Sequence, residues 1–186
     1  MNIYPLEPAW HKNTQPGMPS ELTALGSMTK CMQQASKQCF QVKLLAQTFK
    51  SPRPSEALLL SISKYKGVMA REVYLLCDDQ ICMFARSLFP IATLFGKSWQ
   101  LQYLGEKPLG VLLFSDPKLR RSPFDFAKIY PCDEDYGKAT SHLTIKPDFL
   151  WARRSVFYWQ QKELMVEEVF LPHFLDKVLC ERETIF

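Results

Sequence analysis

The sequence predicts an α+β fold: a single domain built on an antiparallel β-sheet with short helices. Two strand–turn–strand units point to it. Arg71–Cys77 with Ile81–Phe89, and Arg153–Trp159 with Leu164–Leu171, are apolar-rich runs joined by short polar turns. The segments between them are short and helix-like, without the regular strand–helix–strand alternation of a parallel sheet. The 186 residues, 47% of them hydrophobic, suffice for one buried core and contain no internal repeats or low-complexity runs.

Each element follows in order. Residues 1–19, with Pro5, Pro8, Pro16 and Pro19, form an extended arm, and the domain proper is expected over residues 20–172. Ser20 caps a short helix through Leu25 that Gly26 ends, and Ser27 caps a second from Met28 to Lys37. Phe40–Phe49 is a strand, since Phe40, Val42 and Leu44 alternate with Gln41 and Lys43. Lys50–Glu56, with Pro52 and Pro54, is a loop. The first hairpin turns at Asp78-Asp79-Gln80. Ile91–Leu104 is mostly helical with a break at Gly96, Gly105–Lys107 is a turn, and Pro108 opens a short helix at its first position, through Leu113. Asp116–Ile129 reads as one or two further helices broken near Pro123. The polar stretch Tyr130–Asp148 reads as a surface loop, with Asp133-Glu134-Asp135 as solvated charge. The second hairpin turns at Gln160–Glu163, Pro172 stops it, and residues 173–186 form a helical tail.

Composition excludes several classes of function. The formal charge of +4 is small and spread out, its densest basic groups being the pairs Arg120-Arg121 and Arg153-Arg154. That is too weak a footprint for nucleic acid, but it suits a small anionic ligand. The N-terminus lacks the apolar core of a signal peptide. The longest apolar stretch, Ile81–Phe95, is interrupted by Arg86 and Pro90 and is too short to span a bilayer, so a cytoplasmic protein without membrane insertion is expected. The six cysteines form no CxxC pair and read as free, packed thiols. His11, His142 and His173 lie far apart. Neither set has metal-ligand spacing. Nucleophile-elbow, Walker and dinucleotide-binding motifs are absent too, so no cofactor is expected. Tyr65, Trp99, Tyr158 and Trp159 read as packing aromatics.

Strand alternation singles out a few charges. Arg71 shares a face with Val73, Leu75 and Cys77, and Glu168 shares one with Leu164, Val166 and Phe170, whereas Glu167 points the other way with Met165 and Val169. Arg86 lies on the face of Cys82, Phe84 and Leu88. Two readings stand. In one, Arg71 and Glu168 pair with each other or with another core charge. In the other, they line a pocket for a molecule carrying a carboxylate, which arginine grips with a planar fork, and a hydroxyl, which a carboxylate accepts. Arg86 is a strand-edge arginine on the first reading and a further anion contact on the second.

The order of short blocks resembles the chorismate pyruvate-lyase family. The blocks are Ser27–Lys30, Arg71-Glu72 leading into Leu75–Cys77, Ala85-Arg86 with Pro90, Leu104–Gly110 with Phe114, Leu150–Ser155, and Glu168–Pro172. They run in family order over most of the chain. Tyr130–Asp148 and the tail after Pro172 are longer than the family pattern. The resemblance implies an antiparallel sheet whose ligand is enclosed beneath helical flaps, and cofactor-free conversion of chorismate to 4-hydroxybenzoate and pyruvate on the way to ubiquinone. By the same resemblance, Arg71 binds the ring carboxylate, Met28 and Leu109 add backbone contacts to it, and Glu168 meets the hydroxyl. Arg86 is assigned to the enolpyruvyl carboxylate or its access route, and the protein is expected to be a monomer. The rival is a non-catalytic small-molecule-binding domain, like the ligand-sensing domain of helix-turn-helix regulators. Those carry a DNA-binding domain in front, and about 20 residues precede the first block here.

Overall fold

In the computed structural model, which describes residues 7–174, the two predicted hairpins form and lie side by side. The first joins β2 (Val68–Cys77) to β3 (Gln80–Pro90) through Asp78 and Asp79, at φ 51° and 64°. The second joins β6 (Leu150–Trp159) to β7 (Lys162–Phe170) through Gln160 and Gln161, at φ 50° and 61°. Left-handed conformation at both central residues gives a turn whose twist matches that of the strands. Asp78 adds a stitch: its carboxylate accepts hydrogen bonds from the backbone N–H groups of Lys37, Gln38 and Cys39.

β3 and β7 pair antiparallel from Met83 opposite Phe170 to Leu88 opposite Met165, which fuses the hairpins into one sheet. β1 (Phe40–Lys50) extends it beyond β2, while β4 (Arg120–Arg121) and β5 (Asp125–Ile129) both pair with β6 at the far edge. The fold is α+β, with apolar clusters on both faces of the sheet. Helices α1 (Met28–Ala35) and α3 (Leu109–Phe114), with 3-10 turns at Ile91–Leu94 and Gly96–Tyr103, pack on one face. Helices α2 (Pro54–Leu59) and α4 (Glu134–Thr140) pack on the other.

Several expectations need correction. Residues 20–23 form a 3-10 turn preceded by Pro19, so Ser20 lies inside the element rather than capping an α-helix. The prolines at 52 and 54 do not keep the next segment a loop: Pro54 starts α2, where its fixed φ suits the helix, and Glu56 reaches back to the Arg53 N–H at 2.7 Å. Pro108 sits just before α3 rather than at its first position. Residues 91–103 adopt 3-10 rather than α geometry. Residues 116–129 are not helical; β4 and β5 satisfy the edge of β6 that would otherwise stand unpaired. Residues 130–148 contain α4, in which Asp135, Tyr136, Ala139 and Thr140 are buried. Residues 7–19 are drawn onto the sheet, since His11 exchanges two backbone hydrogen bonds with Phe126. The helix expected beyond Phe174 lies outside the described residues.

Candidate active site

The register places the site. On β2, Arg71 stands opposite Ser87 of β3, which stands opposite Val166 of β7; Ala85 stands opposite Glu168, which stands opposite Arg153 of β6. All these side chains share the face covered by α1 and α3. Between sheet and helices lies a partly open cavity with about 60 Å³ of space for water centres. Its walls are mostly apolar, with Val42, Val73, Leu75, Leu113 and Phe157 among them, and Arg71, Ser87 and Glu168 project from the sheet into it.

The roof is made by two helix starts. Ser27 caps α1 by accepting from the Lys30 N–H at 3.3 Å, and Met28 is the first residue of the helix. Leu109 is the first residue of α3. The opening N–H groups of a helix have no partner within it, and Met28 and Leu109, which open these two helices, both line the cavity. The two helices approach so closely that a Cβ on Gly110 would lie 2.5 Å from Thr29 Oγ1.

Arg71 is 2% exposed. Its Nη2 donates to the carbonyls of Gly105 at 2.8 Å and Lys107 at 2.9 Å, and its Nε to Gly105 at 3.3 Å. The turn that offers these carbonyls is held by Gly105 at φ +53°. Among the described residues no carboxylate forms an ion pair with Arg71, and burial alone pushes its pKa down to about 10. It therefore stays cationic at neutral pH. A buried cation without a counter-charge is unfavourable, and a ligand anion would relieve it.

Glu168 differs. Its Oε2 accepts from Arg153 Nε at 2.5 Å, so one of the two readings holds for it: it pairs with a core charge, though not with Arg71. Glu168 nonetheless lines the cavity. Two strand spacings and two residues separate it from Arg71, which puts their Cα atoms about 12 Å apart. Met28, Leu109, Arg71 and Glu168 thus meet around one space.

Arg86 does not join them. One residue along β3 from Ser87, it points to the opposite face. There its Nε donates to Glu56 Oε1 at 2.8 Å and its Nη1 to Glu72 Oε1 at 2.5 Å. It belongs to a buried ion network with Arg53, Asp135 and Lys138. Asp135 is therefore not solvated loop charge. Burial pushes its carboxyl up, but the Arg53 hydrogen bond and the charges of Arg53, Arg86 and Lys138 outweigh that and hold it below its ordinary value. Glu167, on the same face, is compensated less: burial, then the Asp135 charge, push it up to about 8 against the charges of Arg53 and Arg86, and its Oε1 has no hydrogen-bond partner among the described residues.

The family model for chorismate lyase matches residues 8–180. The chain belongs to the chorismate lyase family. Among its relatives, a protein of Methylobacillus flagellatus named "Probable chorismate pyruvate-lyase" is 38% identical over 161 residues, 87% of this chain and 90% of that one. A protein of the same name from Aromatoleum aromaticum is 36% identical over 183 residues, 95% of this chain and 98% of that one. Among solved structures, the effector domain of PhnF from Mycobacterium smegmatis matches with a TM-score of 0.55 at 15% identity, over 81% of this chain and 91% of that one. A GntR-family regulator from Bacillus cereus matches with a TM-score of 0.53 at 16% identity, over 72% and 92%. These last two likenesses concern the fold alone. No helix among the described residues is long and apolar enough to cross a membrane.

Sequence reasoning missed two polar residues at this cavity. Ser87 is buried between the Arg71 and Glu168 strands, and the alternation that placed Arg71 could have found it two residues on from Ala85. Arg153 holds Glu168, but only the strand register reveals that partnership.

Proposed function

We propose that the protein is a chorismate pyruvate-lyase that converts chorismate to 4-hydroxybenzoate and pyruvate in the cytosol, the aromatic acid then serving quinone synthesis. The observation that carries this reading is Arg71: a buried cation without a carboxylate partner among the described residues, across an apolar cavity from an acid. Arg71 takes the ring carboxylate, with the opening N–H groups of Met28 and Leu109 adding donors. Glu168 accepts the ring hydroxyl at the far end.

The reaction balances within the substrate. The hydrogen on the hydroxyl-bearing ring carbon leaves, and the bond between the neighbouring ring carbon and the ether oxygen breaks. The electrons of the C–H bond complete the aromatic ring. The hydrogen ends on the side-chain methylene carbon, directly or through a protein base, and the ether oxygen leaves as the keto oxygen of pyruvate. Aromatisation supplies the driving force, so the site's task is to hold one reactive conformer. Fixed charges at both ends of the ring do this, and the apolar walls strengthen each charged contact by excluding water.

The test is to incubate the purified protein with chorismate and quantify both products by chromatography. Equal amounts of 4-hydroxybenzoate and pyruvate are expected. Arg71→Ala, with an unchanged circular dichroism spectrum, is expected to lose turnover. Wild-type kinetics in that variant would refute the assignment of Arg71. Binding of 4-hydroxybenzoate without any turnover of chorismate by the wild type would make the protein a non-catalytic binding domain.

A further inference from the structure

Arg153 is one of the largest fully buried side chains, and its guanidinium reaches two parts of the molecule at once. Its Nε holds Glu168 Oε2 at 2.5 Å. Its Nη1 donates to the backbone carbonyls of Leu22 at 2.8 Å and Ala24 at 2.9 Å. The ring of Phe124 lies 4.1 Å from the guanidinium centre and that of Phe170 lies 5.5 Å away, so aromatic faces fix its plane. Residues 22 and 24 belong to the segment that continues, through Gly26, into Ser27, Met28 and Thr29 of the cavity roof.

Two consequences follow from this geometry. Glu168, a residue of the cavity wall, has one oxygen committed to Arg153. The same guanidinium ties down the chain leading into the roof. A lysine at this place would keep the charge but not the planar fork that serves both groups at once. We infer that Arg153 is a positioning residue that couples the orientation of Glu168 to the seating of the 20–29 roof segment, and thereby sets how strongly the site prefers a ring bearing a hydroxyl opposite its carboxylate. This rests on the proposed assignment of Glu168 to the ligand hydroxyl.

The test compares binding of 4-hydroxybenzoate with that of benzoate, which lacks the hydroxyl, by calorimetry on wild type, Arg153→Lys, Glu168→Gln and the double variant. Hydrogen exchange of residues 20–29 is followed in each. The wild type is expected to prefer the hydroxylated ring by about tenfold or more, the scale of one hydrogen bond to a charged group. Arg153→Lys is expected to lose most of that preference while benzoate affinity changes by no more than about threefold, and residues 20–29 should exchange faster. In the double variant the preference should fall no further than in Glu168→Gln alone, because Arg153 acts through Glu168. A wild-type preference retained in Arg153→Lys, or preference losses that simply add in the double variant, would overturn the role of Arg153 and leave the site intact. A wild type that binds both rings equally would overturn the assignment of Glu168 itself. Should Arg153→Lys fail to fold, Arg153→Gln, which keeps planar N–H donors without the charge, takes its place with the same expected outcomes.

Discussion

Replacing Gly110 by alanine tests whether the closeness of α1 and α3 matters to the chemistry. The new Cβ would stand 2.5 Å from Thr29 Oγ1, 3.1 Å from Thr29 Cβ and 3.3 Å from Ser27 Oγ, where ordinary contact begins near 3.4 Å. The worst of these is about 0.9 Å short, and Thr29 is itself buried, so the two helices must part by a distance of that order. Overpacking of this kind costs about 1–3 kcal/mol. The functional effect should be larger than the stability effect, because Met28 and Leu109, the first residues of these helices, both line the cavity. Misplacing a positioning group by about 1 Å lowers rates by roughly 10²-fold. The assay is kcat/KM for 4-hydroxybenzoate formation from chorismate, with a urea unfolding curve on the same sample. Thr29→Ala in the Gly110→Ala background removes the hydroxyl that clashes and should restore most of the activity, whereas Thr29→Ser keeps it and should not. Wild-type kcat/KM in Gly110→Ala, or equal rescue by the two Thr29 variants, would refute the reasoning.

Two further predictions concern the opposite face. Glu167 is held neutral in the fold up to about pH 8, while the unfolded chain ionises it near 4.5. Its folded pKa is raised, so its contribution is fully present below the unfolded value. It is lost as pH climbs toward 8, at up to about 1.4 kcal/mol per pH unit. Glu167→Gln should therefore gain stability relative to wild type between pH 5 and pH 8.5, by at least about 1 kcal/mol in urea denaturation; a constant difference across that range would contradict the neutral state. Arg86→Met takes the closest cation from Glu56 and Glu72, leaving Arg53 and Lys138 to hold them, and should cost about 3 kcal/mol by urea midpoint, with kcat of the folded enzyme within about twofold of wild type. A tenfold drop in kcat would show that Arg86 reaches the site after all.

What could be read beforehand follows the range of the interactions. Both hairpins were legible because period-2 alternation and turn chemistry are local, and the same alternation set Arg71 and Glu168 each on an apolar face of its own strand, while only the register puts the two on one side of the sheet. Strands β4 and β5 were not legible, since Asp125–Ile129 is extended only because β6 offers it an edge 25 residues downstream. Helix α4 was hidden for a related reason: Asp133 and Asp135 look like solvated charge until Arg53, some 80 residues away, is seen to meet Asp135 and Glu134. Arg86 was misplaced by a different step. Its face was read correctly against Phe84 and Leu88, but nothing local says that this face carries the ion network and the other the cavity.

Each hairpin supplies one pole of the site: Arg71 comes from the first, Glu168 from the second, and only the β3–β7 seam brings them within reach of one molecule. A ligand spanning both poles therefore acts as a clamp across the seam. It favours the docked hairpins by RT ln(1 + [L]/Kd), about 2.7 kcal/mol at a hundredfold excess over Kd. Severed in the connection between the hairpins, the chain would become two fragments whose association is tuned by ligand concentration. The cavity is in that sense also a switch for assembly, and occupancy could be read out as reunion of the halves.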